Sequence, residues 1–112
     1  MLNKHISLYK YEKIPLDVST VVWVGSDINY CCLYLIDGRK IIIAKTLKSF
    51  EEKLVEFDNF FRPNKNFIIN RNFIKVNKVG KYGGEIVLIN DFSVTVSRRR
   101  VKFVKEKLSI RK

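Results

Sequence analysis

The chain has 112 residues, of which 46% are hydrophobic, and this is enough for one folded domain with a modest core. No run approaches the roughly 18 apolar residues of a membrane span, and no apolar stretch near the N-terminus resembles a secretory signal. The two cysteines, Cys31 and Cys32, are adjacent and would point to opposite faces of a strand, so no disulfide is expected between them. These features predict a cytoplasmic protein with reduced thiols and no membrane contact.

The net charge of +11 arises in one part of the chain. Residues 1–59 hold eight of the 22 Lys and Arg residues and eight of the 11 Asp and Glu residues, so this part is neutral. Residues 60–112 hold the other 14 basic residues and only three acidic ones. A basic excess on one side indicates a polyanionic partner, because solubility alone does not require the charge to be segregated. Nucleic acid is the partner that this distribution favours.

The first half of the chain predicts a buried strand and a β-hairpin. The apolar run "VVWV" at 21–24 indicates the strand. In the segment 28–45, strand-like runs flank Asp37-Gly38, a dipeptide that tolerates positive φ and is typical of a hairpin turn. The alternating positions of the first hairpin strand are Ile28, Tyr30, Cys32, Tyr34 and Ile36.

The apolar residues of the segment 46–57 have the three- and four-residue spacing of a helix, so this segment is predicted to be helical. Its apolar stripe consists of Leu47, Phe50, Leu54 and Phe57. Thr46 precedes the stripe and is a suitable N-cap. Glu51, Glu52 and Glu56 lie off the stripe, on what would be the outer face, where solvated charges are the ordinary interpretation.

The second half of the chain returns to short strands. The segments 66–70 and 72–79 are strand-like, and a second hairpin over 85–97 bends at Asn90-Asp91. Together the elements predict a mainly-β domain with many short strands and two short helices. No Gly-, Ser- or Pro-rich linker divides the chain, so residues 1–112 are predicted to form one domain.

The segment "SRRRVKF" at 97–103 predicts the start of a closing helix, with Ser97 as its N-cap. Its buried stripe would consist of Val101, Val104 and Leu108. Arg98, Arg99 and Arg100 would then fill the first turn, where the helix dipole costs a cation about 0.3–1 kcal/mol. Phosphate groups lying against this turn would offset that cost, because anions suit a helix N-terminus.

The sequence offers little for catalysis. His5 is the only histidine, and no Cys/His pair, carboxylates clustered at strand ends or phosphate-cradling glycine loop is present. Spacing typical of metal ligands is also absent. We therefore expect no catalytic residue, no metal and no cofactor.

A polar, basic loop is predicted inside the segment "FFRPNKNFIINRNFI" at 60–74. Asn can bond adenine in two places, and Arg and Lys can reach guanine or phosphate. Pro and Asn are also turn formers, so an ordinary turn explains the same residues equally well. Apolar anchors on both sides would position such a loop accurately.

This segment resembles the signature of the bacterial LytTR DNA-binding domain, approximately F-x-R-x-H-R-S-x-x-V-N-x-x-x-I. The matching positions are Phe60, Arg62, Ile69, Asn70 and Ile74. The family's strand ending in S-R-R before a closing helix is matched by "VTVSRRRVKF", and its Asp-Gly hairpin and T-L-x-x-L/F helix start by "LIDGRK" and "TLKSFEEKL". The resemblance is strongest over residues 12–110.

The resemblance implies an elongated, mainly-β fold of about ten short strands in three antiparallel sheets with two short helices. It also implies a bacterial transcription regulator whose loops enter successive major grooves of double-stranded DNA at direct repeats upstream of promoters. A second copy on the DNA and a protein regulator are further candidate partners. Most relatives carry a receiver domain, for which this chain has no room, so a stand-alone regulator and an excised domain are both expected alternatives.

The predicted DNA contacts fall into two groups. The base contacts are Asn29, Tyr30, Asn64, Lys65 and Arg99. The phosphate contacts are Arg62, Asn66, Lys81, Ser97, Arg98, Arg100 and Lys102. The resemblance implies most of these positions, whereas Asn64, Arg62 and Arg98 are included for their residue types.

The chain departs from the family signature in the loop itself. Asn64, Lys65 and Asn66 stand where the family has His, Arg and Ser, so the preferred DNA sequence need not be the usual one. Two other functions fit the charge. A small RNA-binding β-domain would present aromatic platforms, for which Tyr30, Tyr34 and Tyr82 are the candidates. A protein-interaction module could hold another regulator through the neutral N-terminal half.

Overall fold

The computed structural model describes residues 5–7, 15–54 and 56–109, and all statements below refer to them. The strands are β1 His5–Ser7, β2 Pro15–Asp17, β3 Val21–Ser26, β4 Cys31–Leu35, β5 Lys40–Ile43, β6 Phe60–Asn64, β7 Phe67–Asn70, β8 Ile74–Val79, β9 Gly84–Leu88 and β10 Ser93–Val96. The α-helices are α1 Leu47–Lys53 and α2 Val101–Ser109. Short 3-10 helices cover Val18–Thr20, Arg71–Phe73 and Arg98–Arg100.

The strands form antiparallel sheets. A five-stranded sheet has the order β5-β4-β3-β7-β6, a three-stranded sheet the order β10-β9-β8, and β1 pairs with β2. This architecture confirms the predicted mainly-β class with two short helices.

The five-stranded sheet has a separate apolar core on each face. Since alternate residues of a strand point to opposite faces, Val24 and Ile68 join one core and Trp23 and Ile69 the other. Helix α1 covers the first core through its fully buried Phe50. The three-stranded sheet and α2 cover the second core. The sheet thereby holds α1 on one side and α2 on the other.

The first hairpin forms as predicted, and the two alternate sets of residues in its first strand face different cores. Cys31, Leu33 and Leu35 are buried in the core beneath α1. Strand β4 begins only at Cys31, so Ile28 lies in the preceding loop and is 90% exposed. The even-numbered Tyr34 faces the other core and stacks on Trp23, with ring centroids 3.9 Å apart. The Asp37-Gly38 turn is confirmed, and Gly38 has a φ of 92°.

Helix α1 begins as its sequence predicts. The Thr46 hydroxyl accepts a hydrogen bond from the Ser49 N–H at 3.1 Å, which is an N-cap. All four residues of the predicted stripe are buried, although the helix ends at Lys53 rather than at Phe57. Phe57 lies in the turn that follows the helix and packs into the same core.

The closing helix differs from the prediction at its start. Arg98–Arg100 form a 3-10 turn, and α2 begins at Val101. Ser97 stands at the N-cap position with extended backbone angles, but within the described residues its side chain makes no capping hydrogen bond. Two of the arginine side chains contact other segments: Arg100 donates to the Arg62 carbonyl in β6, and Arg98 lies over the Tyr82 ring in the β8–β9 turn.

Candidate nucleic-acid interface

The β6–β7 loop is braced by its own side chains. The Asn64 carboxamide oxygen accepts a hydrogen bond from the Asn66 N–H at 2.7 Å, as Asn residues do in tight turns. The Arg62 guanidinium donates from Nη2 to the Lys65 carbonyl at 2.6 Å. The buried Pro63 anchors the strand below them. These contacts leave the Lys65 side chain exposed at the tip of the loop.

The end of β10 and the arginine turn dock against this loop. The Asn64 Nδ2 donates to the Thr95 carbonyl, and the Ser97 N–H donates to the Pro63 carbonyl at 3.1 Å. The Arg100 Nε donates to the Arg62 carbonyl at 3.0 Å. Because side chains and backbone from both segments interlock, their relative position is fixed.

An open groove of about 690 Å³ lies between the two segments. It is lined by seven of the twelve predicted contact residues, namely Arg62, Asn64, Lys65, Asn66, Ser97, Arg99 and Arg100. Thr95 and Glu51 complete the lining. Four of these side chains are cationic and one is acidic, so the groove as a whole attracts anions. We call these nine residues the central groove.

The loop that carries Asn29 and Tyr30 borders the central groove. At its base the Ser26 N–H donates to the Asn66 carbonyl at 2.9 Å. Within the loop, the Ile28 N–H and the Tyr30 hydroxyl donate to the Asp27 carboxylate. Both bonds hold the pKa of Asp27 below its usual range, and the bond from the Ile28 N–H has the larger effect. The hydrogen bond from the Tyr30 hydroxyl and the negative charge of Asp27 raise the pKa of Tyr30. Asn29 is exposed.

The β8–β9 turn borders the central groove on the side of the arginine turn. Arg98 places its guanidinium carbon 5.2 Å from the centre of the Tyr82 ring, and the Lys81 Nζ lies 5.5 Å from it. All three side chains are exposed. Lys102, on the first turn of α2, is exposed as well. The predicted contacts outside the groove therefore sit on its two borders and on the adjoining helix.

Two comparisons with known proteins show the family and the fold of the chain. The family model of the LytTr DNA-binding domain matches residues 11–109. The chain belongs to the LytTR family. A solved LytTr DNA-binding domain from Bacillus cereus is 21% identical and superposes with a TM-score of 0.76, covering 96% of this chain and 99% of that one, which shows the shared fold. A search of curated proteins found no match.

Membership of the LytTR family establishes the broad function. The chain is a DNA-binding domain with a role in transcription regulation, and its partner is double-stranded DNA. LytTR is a family of DNA-binding domains and not of enzymes. Among the described residues, no helix is long and apolar enough to cross a bilayer, and no three His, Cys, Asp or Glu residues cluster as metal ligands would.

Sequence reasoning missed two members of the central groove, Thr95 and Glu51. Glu51 was interpreted as part of a solvated helix face, but its Oε1 lies 3.1 Å from the Arg62 Nη1 and its side chain lines the groove. The ion pair joins residues eleven positions apart on different elements, and the sequence carries no signal for it. Tyr82 was considered only as an RNA platform, although here it stacks with two cations.

Neither cysteine lines the central groove, and both are free thiols. Cys31 is fully buried in the core beneath α1, whereas Cys32 points to the other face and is half-buried. Burial is the main factor that raises the pKa of both thiols. A raised pKa lowers the thiolate fraction at neutral pH, so both are poorly reactive.

Proposed function

We propose that the chain binds specific sequences of double-stranded DNA, with the loops of the central groove in the major groove, as a bacterial transcription regulator. The observation that carries this proposal is the groove itself, in which seven of the twelve predicted contacts meet. A braced loop and a basic turn at fixed separation can present side chains to base edges in a defined register.

Exposure and hydrogen bonding separate the roles of the groove residues. Lys65 and Arg99 are exposed and reach outward, so they are our main base contacts. Asn64 can add a base contact through its remaining N–H, and Asn29 and Tyr30 extend the contact surface beside it. Direct base contacts of this kind determine sequence preference.

The phosphate contacts surround these base contacts. They are Asn66, Lys81, Ser97, Arg98, Arg100 and Lys102. Arg62 is different, because both of its terminal nitrogens are engaged within the protein. We therefore assign Arg62 a positioning role instead of the phosphate contact that its residue type predicts.

Binding across a range of salt concentrations tests the proposal. The probes are a duplex selected by the protein from a random library, a scrambled duplex and a single-stranded RNA, each followed by fluorescence anisotropy. If about five phosphates are neutralised, log K falls with log salt concentration with a slope near −4 to −5 on the selected duplex. Equal or tighter binding of the RNA would contradict the proposal and favour the RNA-binding alternative.

We further propose that two copies occupy direct repeats side by side. The repeats would be separated by whole helical turns, because both copies must then face the same side of the duplex. The free protein should sediment as one subunit, and a two-repeat duplex should bind two. Insertion of about 5 bp between the repeats should abolish cooperativity but preserve single-site binding. A tight dimer without DNA would contradict this arrangement.

A further inference from the structure

A carboxylate inside a groove that binds DNA requires an explanation. Glu51 lines the central groove with its side chain 44% exposed, so its charge lies where phosphates would otherwise be attracted. Its partner Arg62 is only 21% exposed, and the two groups are 3.1 Å apart. The pair therefore weakens the positive potential of the groove at one point and holds one guanidinium inward.

Arg62 connects both segments that form the groove. Its Nη2 donates to the Lys65 carbonyl at 2.6 Å, at the tip of the β6–β7 loop. Its own carbonyl accepts from the Arg100 Nε at 3.0 Å, in the turn that also carries Arg99. Arg62 thus contacts Lys65, one of the two main base contacts, and Arg100, the residue that follows Arg99, the other one. Whatever holds its guanidinium in place also fixes the geometry with which they meet DNA.

We infer that Glu51 is a positioning residue for sequence recognition, which acts by holding the Arg62 guanidinium against the Lys65 carbonyl and away from DNA phosphates. This inference rests on the proposed sequence-specific binding. Without Glu51, Arg62 would be free to turn outward to a phosphate. The domain would then gain a contact that is independent of sequence and lose the brace of its reading loop.

The variant Glu51→Gln separates this role from simple structural damage. A new phosphate contact makes the slope of log K against log salt concentration steeper by about 0.9, and it tightens binding of scrambled DNA about five-fold near 0.15 M salt. The ratio of affinities for selected and scrambled duplexes falls as well, because both duplexes gain the phosphate contact but only the selected one loses the accurately braced loop that reads it. Glu52→Gln is the matched control, because it removes the same charge from an exposed neighbour on α1 and should change neither ratio nor slope.

The Arg62→Gln variant tests whether Glu51 acts through Arg62. If Arg62 does not touch phosphate in the wild type, Arg62→Gln lowers the affinity ratio and leaves the salt slope unchanged. Adding Glu51→Gln to Arg62→Gln should then produce no further change in the affinity ratio. A salt slope that is shallower by about 0.9 in Arg62→Gln would show an existing phosphate contact and overturn the inference.

The remaining outcomes are also decisive. Circular dichroism and thermal unfolding establish that each variant is folded. If wild-type protein does not discriminate between the duplexes, the proposed function fails. If wild-type protein discriminates and Glu51→Gln behaves like Glu52→Gln, or loses affinity equally for both duplexes with an unchanged slope, only the inference about Glu51 fails.

Discussion

The central groove and its two bordering loops are held in different ways. In the groove, hydrogen bonds join segments about thirty-five positions apart in sequence, such as Ser97 to Pro63 and Arg100 to Arg62. The bordering loops, 27–30 and 80–83, are closed mainly by bonds within themselves. Long-range bonds fix one segment against another, whereas local bonds fix only the shape of a turn.

This difference suggests a division of labour on DNA. Reading a base edge requires accurate placement, which the interlocked groove provides before DNA arrives. Contacting a phosphate tolerates more movement, since charge attraction acts over a longer distance. We therefore expect the groove to determine most of the sequence preference, with Asn29 and Tyr30 adding to it from the 27–30 loop. The 80–83 turn should contribute affinity that is similar for all sequences.

The largest effect is expected for Arg99→Ala. Loss of a base contact from the groove should cost about 1–3 kcal/mol on the selected duplex and much less on a scrambled one. Lys102→Ala is the comparison, because Lys102 lies on α2 outside the groove lining. It should weaken both duplexes by a similar factor and reduce the magnitude of the salt slope by about 0.9.

Anisotropy titrations of both variants on both duplexes measure this difference. The decisive quantity is the ratio of affinities for the selected and scrambled duplexes. If Arg99→Ala and Lys102→Ala change that ratio by the same factor, the groove does not determine sequence preference.

A smaller and more uniform effect is expected for Gly84→Ala. Gly84 has a φ of 146°, and a Cβ there would clash with the Lys78 carbonyl oxygen, so the 80–83 turn must shift. Displacing Lys81 should weaken both duplexes several-fold with their ratio preserved, and strain at this position should lower stability by about 1–3 kcal/mol.

Gly38→Ala provides the control for this substitution. Gly38 also has positive φ, but a Cβ there meets no atom within 4 Å, and the residue lies in the β4–β5 turn. It should cost about 1 kcal/mol of stability without changing DNA affinity. A loss of sequence preference in Gly84→Ala would show that the border loop also reads bases.

The sequence predicted these elements well where the signal is local. The Thr46 cap, the Asp37-Gly38 turn and the bend at Asn90-Asp91, where Asp91 has a φ of 65°, depend on a few neighbouring residues. The strand β4 was harder, because alternation defines two faces without saying what covers each of them. Helix α1 covers the face of Cys31 and Leu33, whereas Tyr34 on the other face packs against the second core, and both depend on packing beyond the strand.

The candidate site shows the same limit. Family positions and residue types were enough to select side chains that meet in one groove, although their DNA roles remain proposals. They could not reveal that Glu51 pairs with Arg62, or that Ser97 contributes its backbone N–H to Pro63 instead of a side-chain cap. Such contacts arise from how two sheets and a helix meet, and no spacing in the chain encodes them.

The smallest effect is expected for Tyr30→Phe, which tests the other border loop. Removing the hydroxyl frees Asp27 from one of its two donors, so the loop should close less well and affinity for the selected duplex should fall about two- to three-fold. The Asp27→Asn variant should give a loss of similar size if the hydroxyl only closes the loop. A much larger loss in Tyr30→Phe would indicate that the hydroxyl itself contacts DNA.

The pKa shifts of Asp27 and Tyr30 determine how the effect of Tyr30→Phe on DNA affinity depends on pH. Asp27 has a lowered pKa, so its contribution is complete above the ordinary carboxyl pKa near 4 and is lost only as the pH falls through the lowered value. Tyr30 has a raised pKa, so its contribution is complete below about pH 10 and is lost as the pH rises through the raised value. Anisotropy at about pH 5, 7 and 9 should therefore show the same difference between wild type and Tyr30→Phe. A difference that varies across this range would mean that another titrating group controls the loop.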